Sequence, residues 1–174
     1  MSGGPVATAP RSRIGIPRIV RCAVSVFDRI PPSAVLLLAR LSIAGVFWSS
    51  GRTKVMPGTL LTLADSTVQL FRDEYGISLP TPGIAAELTM LSEHLFPVLL
   101  VVGLASRFAA LALFIMTLVI EVFVYPGAYD VHGPWAVCLL LIMMKGPGVV
   151  SLDFRIGRAF PERSMAQAPL APAP

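Results

Sequence analysis

The chain has 174 residues, 55% of them hydrophobic and only 14% charged, and a formal net charge of +4. Its mean hydropathy is +0.74, and a water-soluble domain of this size needs more polar surface, so the composition points to lipid. The two cysteines, Cys22 and Cys138, lie far apart in dissimilar surroundings, which excludes a disulfide framework, a C-x-x-C dithiol and a cysteine metal site.

Residues 1–17 hold Gly, Pro, Ala and Arg without hydrophobic period and read as a disordered tail. No apolar core of signal length follows their arginines, so no cleavable signal is expected. Residues 18–30 predict a cationic amphipathic helix. Arg18, Arg21, Ser25, Asp28 and Arg29 share one arc, with Ile19, Val20, Val24, Phe27 and Ile30 opposite. Such a helix lies in the membrane interface. The apolar face is too wide for a nucleic-acid arm and lacks stacking aromatics, so no nucleic-acid partner is expected.

Four apolar blocks follow, at 33–50, 83–104, 108–125 and 134–145, each read as a membrane-spanning helix. The fourth is short for a bilayer core of roughly 30 Å, which an earlier start near Tyr129 would resolve. Between the first two, residues 59–75 mix Leu60, Leu63, Leu70, Phe71 and Tyr75 with Asp65, Arg72, Asp73 and Glu74. That pattern predicts a short amphipathic helix over the bundle mouth, a surface helix or a substrate lid. The fold class is therefore all-α, an integral membrane four-helix bundle with an interfacial helix before it. Residues 1–32 form the tail and interfacial helix, 33–153 the membrane domain and 154–174 a partly disordered tail. Basic residues concentrate before the first block, at Arg107, and after Lys145. By the positive-inside rule both termini are cytoplasmic in an inner membrane.

Ionisable groups inside these blocks are the candidate site, because charges in hydrocarbon are costly and often functional. Arg40 lies about seven residues into the first block, roughly 10 Å deep. By depth it meets Glu93, and the expected ion pair either fixes helix packing or handles protons. His94 follows Glu93, and Pro97 removes the amide that would bond the Glu93 carbonyl. Glu93, His94 and Arg40 are thus the candidate catalytic residues. Glu87, Glu121 and His132 lie within about two turns of the opposite edge, at the depth of Trp48, Ser49, Ser50, Lys54, Tyr125, Tyr129 and Trp135. They are solvated at the interface, or they converge as a metal site or a quinone-headgroup pocket. Without an H-x-x-H or E-x-x-H repeat no metal site is assigned. The chain has no G-x-S-x-G, P-loop or dinucleotide fingerprint.

Four segments, A-R-L-S-I-A-G-V-F-W-S-S-G-R-T-K (39–54), S-E-H-L-F-P-V-L-L-V-V-G-L-A-S-R (92–107), F-V-Y-P (123–126) with H-G-P-W (132–135), and G-P-G-V-V-S-L-D (146–153), occur in this order. In them the chain resembles the DoxX family of small bacterial membrane proteins. The resemblance places Arg40, Gly51, Lys54, Glu93, Gly103, Arg107 and Asp153 on positions typical of the family. His94, Glu121, His132 and Trp135 look like features of a narrower branch. The family takes its name from a small subunit of a membrane thiosulfate:quinone oxidoreductase. The resemblance implies a redox-associated inner-membrane subunit contacting quinone or an oxidoreductase partner, with no enzyme activity established. The alternatives are a non-catalytic membrane scaffold and a small-molecule or ion carrier.

Overall fold

The computed structural model describes residues 18–76 and 80–159, which are helical apart from turns and one isolated antiparallel bridge between Val55 and Leu63. The tails expected to be disordered, 1–17 and 160–174, lie outside the described residues. Helix α1 (Arg18–Phe27) belongs to a separate compact unit, residues 1–31. It stops three residues short of the expected end, where Asp28, Arg29 and Ile30 close tight turns ahead of Pro31-Pro32.

The second unit holds α2 (Pro32–Thr53), α3 (Asp65–Asp73), α4 (Pro82–Val102), α5 (Ser106–Val119), α6 (Tyr129–Lys145) and α7 (Leu152–Ala159). A π-helical turn, Ile120–Val124, continues α5. Helices α2 and α4, and α5 extended to Val124, are long and apolar enough to cross a membrane. Helix α6 spans 17 residues. It starts at Tyr129, five residues before its apolar run, and Pro134 falls in its second turn.

Helix α2 packs on α4 and α6, and α5 packs on the same two, so the four close around one core. Small and large residues interlock there: Ala39, Ala44, Ala109 and Ala110 let the helices approach, and Ile43, Phe47, Leu100, Leu113, Leu139 and Ile142 fill the space. The outward faces are equally apolar, with Leu38, Leu95, Ile115 and Val137 more than half exposed. A helix apolar all round suits a lipid solvent. Helix α3 packs on α4 by burying Phe71 against Ala85 and Ala86.

The register of α2 on α4 decides which charges meet. Gly51 lies against Glu93 and His94, while Gly103 lies against Arg40. Relative to an end-to-end alignment the two antiparallel helices are slid by about ten residues, roughly 15 Å at helical rise. The expected Arg40–Glu93 pair is therefore not formed. Arg40 instead reaches the far end of α4, where the helix turns into α5.

There it gathers four carbonyls. Its Nε donates to Leu100 O at 2.7 Å and Nη2 to Val101 O at 2.8 Å, and Nη1 donates to Pro147 O at 2.8 Å and Val150 O at 2.7 Å. Helix termini leave their last carbonyls without amide partners. Here Gly103 and Leu104 both turn back to Leu99 O, so Leu100 and Val101 need a donor from elsewhere. The C-terminal dipole of α4 favours the cation. Across the turn, Asp153 accepts from the amides of Ala105 at 2.7 Å and Ser106 at 2.9 Å, capping α5. Gly103 is left-handed at φ 75°, and a Cβ there would come within 2.5 Å of Ser151 Cβ. Arg40, Gly103 and Asp153 thus tie the α4–α5 turn to residues 147–153.

Candidate functional site

The other end of the bundle holds the chemistry. Glu93, in the middle of α4, is 1% exposed, and its Oε2 lies 2.7 Å from Lys54 Nζ. Ser50 Oγ donates to the second oxygen, Oε1, at 3.1 Å. The ammonium also donates to Ser50 Oγ at 3.1 Å, so lysine, serine and carboxylate close a three-membered ring of contacts. The partner of Glu93 is therefore Lys54, one residue past the end of α2.

Lys54 is held by its backbone. Its carbonyl accepts from Ala64 N at 3.0 Å and Thr67 Oγ1 at 3.1 Å, which folds the 55–64 loop back on it and sets the start of α3. Gly51 makes the approach of α2 to α4 possible. A Cβ at that position would lie 2.8 Å from His94 Cε1 and 3.1 Å from Glu93 Cβ, so any other residue would have to push the His94 ring aside.

His94 is buried and turns its Nδ1 to its own helix. Its Nδ1 lies 2.8 Å from Met90 O; a carbonyl only accepts, so Nδ1 carries the proton. The ring stands edge-on to Trp48 with centroids 5.1 Å apart, and its Nε2 is buried without a partner. It packs on the α2 side of α4, outside the cavity described next.

That cavity, about 200 Å³, is lined by residues of α2, α3, α4, α5, the π-turn and α6. Lys54, Ser50 and Glu93 reach it from one part of its lining and His132 from another, between the rings of Phe47, Phe71, Tyr75, Tyr125 and Trp135. Trp135 stands edge-on to Phe47 at 5.6 Å and to His132 at 5.0 Å. Tyr75 stands edge-on to Tyr125 at 6.0 Å, closing the α3 side. Burial, followed by its contact with Tyr125, holds the Tyr75 phenol well above the ordinary tyrosine range.

His132 is oriented from behind. Its Nδ1 lies 2.6 Å from Glu121 Oε2, and the other oxygen of Glu121 accepts from Gly127 N at 3.2 Å. Glu121 sits on the π-turn, where the extra residue per turn re-aims side chains, a feature common at functional sites. A carboxylate on one imidazole nitrogen fixes the ring and leaves Nε2 to meet a ligand.

The sequence-derived candidates thus divide. Glu93, Lys54, His132 and Trp135 line one cavity, with Glu121 directly behind it. Arg40 belongs to the opposite end and His94 to the α2 interface. Glu87, expected to join Glu121 and His132, is exposed and does not reach the cavity. Glu87 lies six residues before Glu93, about 120° round α4 from it, and so faces outward. No group of three or more metal-ligating side chains converges among the described residues. Sequence reasoning placed Ser50 and Tyr125 at this depth and missed the rest of the aromatic wall, Phe47, Phe71 and Tyr75. Ser50 and Lys54 stand four apart and so share a helix face, a signal of their contact that was there to find.

The family model for DoxX matches residues 35–126, more than half of the chain. No curated protein and no solved structure matched it. Family match and three long apolar helices together indicate an integral membrane protein. On this evidence the chain belongs to the DoxX family.

Proposed function

We propose that this protein is a redox-associated membrane subunit whose cavity takes the headgroup of a quinone. In this reading α2, α4, α5 and α6 are four spans of one membrane domain, residues 33–153, with both termini cytoplasmic in the inner membrane. The observation that carries it is the convergence of two acid–base pairs, Lys54–Glu93 and His132–Glu121, on one aromatic-lined cavity.

The residues fit the group. A volume of about 200 Å³ is below the roughly 300–1,000 Å³ of sites that enclose a drug-sized ligand, and admits one ring with its substituents. Aromatic edges and faces suit a flat ring. Lys54 would donate to one of its oxygens, and His132 Nε2, opposite the nitrogen held by Glu121, would accept from the other when the ring is in its hydroxyl-bearing, reduced form. A quinone supplies two-electron, two-proton transfer when bound. This chain contributes the proton side: Glu93 and Lys54 form an internal pair that exchanges a proton within 2.7 Å, and Glu121 keeps the His132 ring aimed. Electrons come from an oxidoreductase partner, since the chain has no dithiol pair.

The test uses purified protein in detergent titrated with a short-chain quinone, read by tryptophan fluorescence. Trp135 lines the cavity and Trp48 does not, so saturable quenching is expected in wild type and in Trp48→Phe but not in Trp135→Phe. Lys54→Gln and, with the ring in its reduced form, His132→Asn each remove one of the two groups that would hold the quinone oxygens. The hydrogen bond lost is worth about 0.5–1.5 kcal/mol, or about 1.5–3 kcal/mol for the charged lysine, and each variant is expected to weaken binding per folded molecule by several-fold to about tenfold or more. Absence of saturable quenching, or affinity unchanged in both variants, refutes the reading and leaves the membrane scaffold.

A further inference from the structure

The Arg40 end of the bundle carries a second, unrelated feature. A groove of about 530 Å³ opens between α7 and the α2–α4 pair, lined by Arg40, Arg155 and Arg158 and by no carboxylate. Four of the five N–H donors of Arg40 are committed to carbonyls, so it contributes chiefly its positive field. Arg155 and Arg158 project from α7 and are exposed. Neither has a carboxylate partner among the described residues, and Asp153, two residues before Arg155, uses both oxygens to cap α5.

The groove does not end at the arginines. Its wall residues Val101 and Val102 also line a second groove of about 380 Å³ running along α2 and α4 past Leu41, Gly45, Trp48 and Pro97, with almost no polar surface. Gly45 leaves it open: a Cβ there would meet nothing within 4 Å. Two exposed cations with no carboxylate partner among the described residues, continuous with an apolar channel on the outside of apolar helices, form a complement to an anionic amphiphile. A soluble anion has no use for the channel, and a helix of a second copy has none for the cations.

We propose that this surface is a binding site for one anionic phospholipid, its phosphate held by Arg155 and Arg158 and one acyl chain laid along the α2–α4 groove. The site rests on the integral-membrane assignment and is independent of the quinone reading. The exposed apolar side chains of α7, Leu152, Phe154 and Ile156, lie with the headgroup in the interface, as in other short basic amphipathic helices. Arg158 already leans over the Phe154 ring, 5.8 Å from its centre.

The experiment is thermal unfolding of the full chain in an uncharged detergent, titrated with dioleoylphosphatidylglycerol or with dioleoylphosphatidylcholine. The anionic lipid is expected to raise the unfolding temperature saturably and the zwitterionic one to do much less. Each basic residue at an anionic lipid surface contributes about fivefold in affinity, so Arg155→Gln with Arg158→Gln moves the titration midpoint up by about 25-fold. Because both side chains are exposed, that double variant unfolds at the wild-type temperature without added lipid. Arg155→Lys with Arg158→Lys keeps most of the response, and Gly45→Leu, which fills the channel, loses it. Equal stabilisation by both lipids overturns the proposal. An unchanged midpoint in the double glutamine variant does so too. The same holds if glycerol 3-phosphate without chains reproduces the effect. If Gly45→Leu dissociates a dimer while the phosphatidylglycerol midpoint stays put, the groove belongs to a second copy and the lipid site is wrong.

Discussion

Replacing Lys54 by methionine strands the Glu93 carboxylate inside the bundle. Its ion-pair partner at 2.7 Å is removed and only Ser50 Oγ at 3.1 Å stays in place. A buried charge stripped of its partner costs about 3–5 kcal/mol. Protonation caps that cost: neutralising a carboxyl of ordinary pKa about 4.3 at pH 7 takes about 3.7 kcal/mol, at about 1.36 kcal/mol per pH unit. Lys54→Met is therefore expected to destabilise the protein by about 3–4 kcal/mol at pH 7 but by only about 1 kcal/mol at pH 5. The sign is fixed, because the stranded group gains its proton as the pH falls. Glu93→Gln leaves an ammonium that is 12% exposed and keeps its Ser50 contact, so it costs about 1 kcal/mol. At pH 7 the double variant resembles Glu93→Gln alone, giving a coupling of about 3–4 kcal/mol. The assay is equilibrium unfolding in mixed detergent micelles for the four proteins at both pH values. If Lys54→Met stays within about 0.5 kcal/mol of wild type, or its cost does not shrink on acidification, the pair contributes nothing and the reasoning fails.

Gly51→Ala forces the His94 ring aside, since the new Cβ would sit 2.8 Å from it. The expected loss is about 1–3 kcal/mol, with a change in Trp48 emission, because Trp48 stands against that ring. At the other end, Arg40→Lys should behave almost as badly as Arg40→Met in the same unfolding assay, because an ammonium cannot span four carbonyls in a fixed fork. Asp153→Ala removes two charge-assisted caps on α5 and is expected to cost about 3 kcal/mol or more, whereas it leaves quinone affinity per folded molecule unchanged. Tyr75 is held protonated in the folded state, so unfolded chains lose that proton first. Stability should fall with rising pH from about pH 10 upward. Spectrophotometric titration should show one tyrosine lagging the others, and Tyr75→Phe should flatten the fall.

Much of the architecture was legible because the bilayer is a strict solvent. Backbone groups in hydrocarbon must pair within the segment, so apolar blocks at 33–50, 83–104 and 108–125 had to become helices, and they did, within a few residues. The site was legible in part. Glu93, Lys54, Glu121, His132 and Trp135 could be singled out because polar groups are rare in such segments, and they do lie at or directly behind one cavity. Their pairing was not. Depth counted from span edges put Arg40 beside Glu93, whereas a slide of about ten residues along α2 put Lys54 there instead. That slide comes from where two glycines allow close approach, Gly51 beneath His94 and Gly103 beneath Arg40, which no periodicity announces. Most of the aromatic wall was hidden for a similar reason, since Phe47 on α2 and Phe71 and Tyr75 at α3 meet only on folding.

The amino-acid sequence by itself determined that this chain is helical, membrane-compatible and sparing with charge, since hydrophobic run length and the cost of bare backbone in lipid leave no other outcome. Only the tertiary structure decided what each charge does. Arg40 became a clasp for helix ends because the α4 carbonyls it meets have no amides left. Glu93 became half of an ion pair because Gly51 lets Lys54 come within 2.7 Å. Partner choice depends on register and rotation between helices, and those are set by side-chain packing across the core.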